Sequence, residues 1–203
     1  GVFVAAGITM FMIPAIPANA VYLSGGVMLV PTCGADESGR FTDEGRYWRA
    51  VVFVCLLCWG MKIGSHCLQY YVYGKLLGAR PSVRATIGVN SPIIKATKFI
   101  LLSRGLSLAK VSVLIGVPDP APSSLCGILN VPLLGTIIGV MPSFILTTPV
   151  VLAGAFPVRV EHGEKWMPAI SVVLMVSAIT TRGVMLLAFL MIERTLTKDA
   201  AEI

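Results

Sequence analysis

A chain of 203 residues that is 56% hydrophobic and only 13% charged, with a mean hydropathy of +0.84, is not an ordinary soluble domain, where about a quarter of the residues carry charge. The length admits one domain with a sizeable core, and the composition makes it an integral membrane protein. A net charge of +6 in so apolar a chain marks cytoplasmic loops and anionic headgroups rather than nucleic acid.

Gly1 stands where a start methionine is usual, so the chain is expected to begin inside a longer protein, with any upstream leader or tail left unread. Five cysteines (Cys33, Cys55, Cys58, Cys67 and Cys126) do not make an even disulfide framework. Cys55 and Cys58 match C-x-x-C, but they sit in a long apolar run without the cation or helix N-terminus that activates such a pair, so packing is favoured over redox chemistry. His66 and His162 are isolated, and neither a metal-ligand set nor a cofactor is expected.

Residues 1–30 are apolar but cut by Pro14 and Pro17, with Asn19 just beyond. Each arm of about a dozen residues reaches only about 18 Å, short of a hydrocarbon core of roughly 30 Å. A re-entrant hairpin is therefore expected over 1–30, followed by a solvated loop over 31–49 that holds four acids and three arginines. A transmembrane helix is expected over 48–74, bracketed by Trp48 and by Tyr70, Tyr71 and Tyr73 as interfacial aromatics. Lys62 falls midway along it, and Gly60 and Gly64 on either side predict close approach of a partner helix.

From Lys75 to Lys110 there are seven basic residues and no acid, which makes the loop 75–98 cytoplasmic and puts 31–49 on the opposite face. A second re-entrant hairpin is expected over 99–130, with an arm over 99–117, a break at Pro118, Asp119 and Pro120, and a short return. A transmembrane helix over 131–156 follows, and 157–203 supply a mixed-charge loop, a last transmembrane helix and a tail. The stretch 116–156 is too apolar for a surface loop yet is interrupted by Pro118, Pro120, Pro122, Pro132, Pro142 and Pro149. Irregular backbone at membrane depth survives only against protein or a wet cavity. The predicted architecture is thus an all-α integral membrane protein: two inverted repeats, each a re-entrant hairpin plus a transmembrane helix, and one additional C-terminal helix.

With both hairpins placed, residues 10–156 resemble the VTT domain family, also called the SNARE-associated or DedA superfamily. The resemblance is carried by IPAIPANAVYLSGG (13–26), IGSHCLQYYVYGKLLG (63–78), LLSRG (101–105), where the family has an arginine, and CGILNVPLLGTIIGVMPS (126–143). It looks closest to the eukaryotic endoplasmic-reticulum branch. No acid lies between residues 1 and 35, where proton-coupled bacterial members carry them. The resemblance implies movement of lipids between leaflets, by scrambling or flipping, with membrane lipids as partners and an endoplasmic-reticulum, other endomembrane or organellar location.

The expected substrate path takes in Pro14, Pro17, Asn19 and Lys62, then Arg104, Pro118, Asp119 and Pro120 at the second hairpin. It continues through Asn130, Pro132, Gly139 and Pro142 to Arg182 near the middle of the last helix. Arg104 is expected to pair with Asp119 or to meet lipid phosphate, because a lone charge in hydrocarbon is costly. The competing functions are a proton-coupled transporter of a lipid carrier or small solute and a structural subunit of a membrane complex. A homo-oligomer or a membrane-complex partner is compatible with either. An enzyme is not expected, since the residues offer no nucleophile–base pair, metal set or phosphate loop.

Overall fold

A computed structural model describes residues 1–13, 16–36, 41, 43–81, 91–103, 105–117, 119–158 and 167–198. Of the described residues 86% are helical, and none lies in a strand. In order the helices are α1 (Val2–Met12), α2 (Ala18–Gly34), α3 (Glu44–Gln69), a π-helical continuation (Tyr70–Leu77), α4 (Pro92–Leu102), α5 (Leu108–Gly116) and α6 (Ala121–Ile128). There follow α7 (Leu133–Val140), a 3-10 turn (Met141–Ser143), α8 (Phe144–Ala155) and α9 (Met167–Lys198). Among the described residues three stretches are long and apolar enough to cross a membrane: Glu44–Leu77, Leu133–Ala155 and Pro168–Lys198.

Packing divides the chain into two compact units, one of Gly1–Lys62 with Ser143–Thr180, the other of Ile63–Pro142 with Thr181–Ile203. In the first, α1 and α2 run antiparallel: a side-chain carbon on Gly7 would meet Val21, and one on Gly25 would meet Phe3. The rings of Phe11 and Tyr22 lie 5.5 Å apart near the bend. At about 16 Å and 25 Å, both helices are shorter than the hydrocarbon core. The most extensive packing of this unit is α2 on α8. It depends on Gly26 and Gly154, where a Cβ on Gly26 would sit 2.9 Å from the Ala155 nitrogen and one on Gly154 would press on the Leu23 carbonyl. Around this contact Val21, Val30, Val54, Cys55, Cys58 and Val151 are buried, and all five cysteines of the chain are free thiols.

The second unit repeats the device. Its most extensive packing is α6 on the π-helical segment, where a Cβ on Gly74 would lie 2.5 Å from the Gly127 Cα and 2.8 Å from the Ser124 carbonyl oxygen. Leu101, Val113, Leu114, Leu125, Cys126 and Val140 form its core.

Several boundaries differ from those the residues suggest. The first membrane-length helix begins at Glu44, inside the expected loop, and extends to Leu77. The helix α2 continues through Pro31 to Gly34, with the Thr32 hydroxyl donating to the Met28 carbonyl at 2.6 Å. The arm expected over 99–117 is two helices, α4 and α5. Gly105, at φ 79°, takes a left-handed conformation that ends the run, and the Ser107 side chain caps α5 by accepting from Lys110 N at 3.1 Å. The helix over 133–155 tightens into the 3-10 turn at Pro142, which has no amide to donate. Gly60 and Gly64 face open space, so the close helix approach expected beside Lys62 is made by Gly26, Gly74, Gly127 and Gly154 instead.

Candidate functional site

Inside the second unit, hydrogen bonds between buried side chains tie together helices that are otherwise apolar. His66 on α3 is 2% exposed, and Ser123 on α6 and Thr136 on α7 are fully buried. The Thr136 hydroxyl donates to the Leu133 carbonyl at 2.8 Å, so at 3.1 Å from His66 Nε2 it is the acceptor. These partners assign the imidazole proton to Nε2, leaving Nδ1 to accept from the Ser123 hydroxyl at 2.7 Å. Buried polar groups linked in this way fix the register of the helices that carry them.

A second polar cluster closes the end of the same unit. Tyr70 donates its hydroxyl to the Val131 carbonyl at 2.9 Å, and the Lys75 ammonium lies 5.7 Å above the Tyr70 ring while donating to Asn130 Oδ1. Asn130 holds φ 56°, a left-handed turn that asparagine tolerates better than most residues. Lys75 and Asn130 thus bring the end of the first membrane-length helix and the end of α6 together. Lys110, only 6% exposed, donates from Nζ to the Ser103 carbonyl at 3.2 Å, placing a cation at the C-terminal end of α4 where the helix dipole favours it.

The residues nominated from the sequence divide as follows. Pro14, Arg104 and Pro118 lie outside the described residues, and with Arg104 goes the expected pairing to Asp119. Pro17 and Asn19 are exposed at the start of α2 in the first unit, and Lys62 is half-buried. Asp119 and Pro120 are half-buried at the turn before α6, where the Pro120 carbonyl accepts from the Ser124 hydroxyl at 2.7 Å. Asn130 belongs to the Lys75 cluster, with Pro132 exposed just after it. Gly139 is buried against Leu114, Pro142 is half-buried in the 3-10 turn, and Arg182 is exposed on α9. They gather only as chain neighbours do: Pro17 with Asn19, Asp119 with Pro120, and Asn130 with Pro132.

Sequence reasoning missed His66, Ser123, Thr136 and Lys110. The Ser123–His66 contact also supplies a hydroxyl beside an imidazole, a juxtaposition not anticipated from a chain position 57 residues away. Ser143, beside Pro142, is buried with no hydrogen-bond partner for its hydroxyl among the described residues. No group of three or more His, Cys, Asp or Glu side chains that could hold a metal ion occurs among the described residues.

Comparison with known proteins finds no matching family model, curated protein or solved structure. The class rests on the helices: an all-helical chain with three membrane-length apolar helices, compatible with a membrane location.

Proposed function

We propose that this chain moves phospholipids between bilayer leaflets without chemical conversion, as a scramblase or flippase-like member of the VTT family it resembles, in the endoplasmic reticulum or a related membrane. The supporting observation is the arrangement of the short, broken helices. Two apolar pairs, α1–α2 and α5–α6, consist of helices shorter than the hydrocarbon core and separated by proline-containing breaks. The second helix of each pair packs through glycines on a membrane-length helix that comes from the other half of the sequence, α2 on α8 and α6 on Tyr70–Leu77. Reciprocal seating of this kind suits two inverted hairpin-plus-helix repeats, in which broken elements supply polar backbone near the bilayer midplane. A headgroup crossing hydrocarbon needs such a polar route.

The Ser123–His66 pair is read as a tie between helices rather than a nucleophile and its base. Both side chains are buried, and the imidazole bonds hydroxyls on two different helices. A second reading, a subunit of a membrane assembly, is favoured by the exposed charge on α9 taken up below.

The test is reconstitution of the purified chain into liposomes carrying a fluorescent phospholipid in both leaflets. An impermeant quencher is expected to reach the inner-leaflet label in protein-containing vesicles and to spare it in protein-free ones. Persistent protection of the inner leaflet by folded protein would remove the lipid-transfer reading.

A further inference from the structure

The helix α9 carries a charge that nothing among the described residues satisfies. Arg182 is exposed, and it makes no hydrogen bond or ion pair among the described residues. The flanking face is apolar and open: Met175 is 63% exposed, Ile179 66% and Leu186 60%, and a side-chain carbon on Gly183 would meet nothing within 4 Å. Only 11% of the apolar window of Pro168–Lys198 is buried. Acyl chains satisfy the apolar residues of such a face, but not a guanidinium.

Depth closes the usual escape. The next charge along α9 is Glu193, about 16 Å away at 1.5 Å per residue. Toward the start of the helix the sequence is uncharged back to Met167, about 22 Å. With Met167–Lys198 centred on a hydrocarbon core of roughly 30 Å, Arg182 lies about 15 Å from either edge, farther than an arginine stem extends, so snorkelling to an interface does not relieve the charge. Intramembrane charges are met by partners of opposite sign.

A second copy is a poor source of that partner. Two copies related by a two-fold axis along the membrane normal present the same residue at the same depth, which would set Arg182 against Arg182. Asp119, the one acid between Glu44 and Glu161, is half-buried and already has an interaction of its own. A resting phospholipid keeps its phosphate at the interface rather than at mid-depth.

We propose that the face of α9 centred on Arg182 docks a transmembrane helix of a different protein, one that carries a single carboxylate near the middle of its span. The carboxylate accepts from the guanidinium, and the small Gly183 and Ala178 allow the two backbones to approach. Docking requires that α9 span the membrane but not that the chain transfer lipid, so a negative liposome result leaves it intact.

The probe is a leucine-rich host transmembrane helix with one central glutamate, placed in the same bilayer as the full chain, with association read by resonance energy transfer. Association is expected to be roughly tenfold tighter than for the host with leucine at that position, about the worth of one good interhelical polar contact. It should fall to the leucine-host level with Arg182→Leu and Arg182→Gln, and survive in part with Arg182→Lys. The thermal midpoint of detergent-solubilised Arg182→Leu should not drop, which separates lost docking from misfolding. Equal transfer for the glutamate and leucine hosts would overturn the proposal, as would transfer that Arg182→Leu leaves unchanged. Stronger transfer between two copies of the chain would assign the face to self-association instead. Loss of co-purified phospholipid in Arg182→Leu, with helix association unaltered, would assign it to lipid. Either result contradicts the proposal.

Discussion

Gly127→Val is expected to unfold the second unit. A Cβ at Gly127 would press on the Tyr70 carbonyl and lie 2.6 Å from the Gly74 Cα. Both are backbone atoms, which cannot rotate aside as a side chain can. Relief requires α6 to separate from Tyr70–Leu77, which also stretches the Tyr70 bond to Val131 and the His66 bond to Ser123. Overpacking by a methylene or so ordinarily costs about 1–3 kcal/mol. A whole isopropyl group against fixed backbone belongs at or above the top of that range. Gly60→Ala and Gly64→Ala provide the opposite sign: both positions face open space inside a helix, so each should gain roughly 0.5–1 kcal/mol from helix propensity. Thermal unfolding in detergent reads all three variants. Equal midpoints for Gly127→Val and wild type would show that α6 is not seated as described.

The second large effect is a pattern of coupling. Gly26→Ala and Gly154→Ala each drive a methyl into the α2–α8 contact, at the Val151 and Leu23 carbonyls respectively, and each should cost about 1–3 kcal/mol. Once one has pushed the helices apart, the other meets less resistance. The double variant should therefore lose less than the sum, because the two residues share one contact. Gly26→Ala combined with Gly127→Ala touches two units with separate cores, and those losses should add. Denaturation midpoints of the single and double variants distinguish the two cases. Additivity in the first pair would mean that α2 and α8 do not share the glycine contact.

The sequence made the large features legible because they follow from length and polarity. A dozen apolar residues ending in proline cannot cross a bilayer, and the long apolar runs at 48–74, 131–156 and after Met167 fall on the three membrane-length helices within a few residues. What stayed hidden was decided by three-dimensional facing. Gly60 and Gly64 looked like contact glycines from their spacing, yet they face outward, while Gly26, Gly74, Gly127 and Gly154 make the close approaches. Spacing fixes neighbours on a helix but not the side a second helix comes from. The apolar runs on either side predict one continuous arm over 99–117, although Ser107 as a cap and Gly105 as a left-handed turn both signal its interruption. His66 looked isolated because its partners are hydroxyls rather than acids or cysteines, and they lie far along the chain.

The proposal of lipid transfer depends on each broken pair entering and leaving the membrane on one side, the two pairs from opposite sides. The direct measurement is labelling with an impermeant maleimide applied to either face of sealed vesicles, in chains whose only cysteine is Cys33, or one placed at Asn130, Pro17 or Asp119. Cys33 and a cysteine at Asn130 should label from opposite faces. Cysteines at the bends, Pro17 and Asp119, should not label from the face opposite the ends of their own hairpin. Labelling of either bend from that far face would mean that the helix pair crosses the bilayer, and the proposed polar route would have no hairpins to form it.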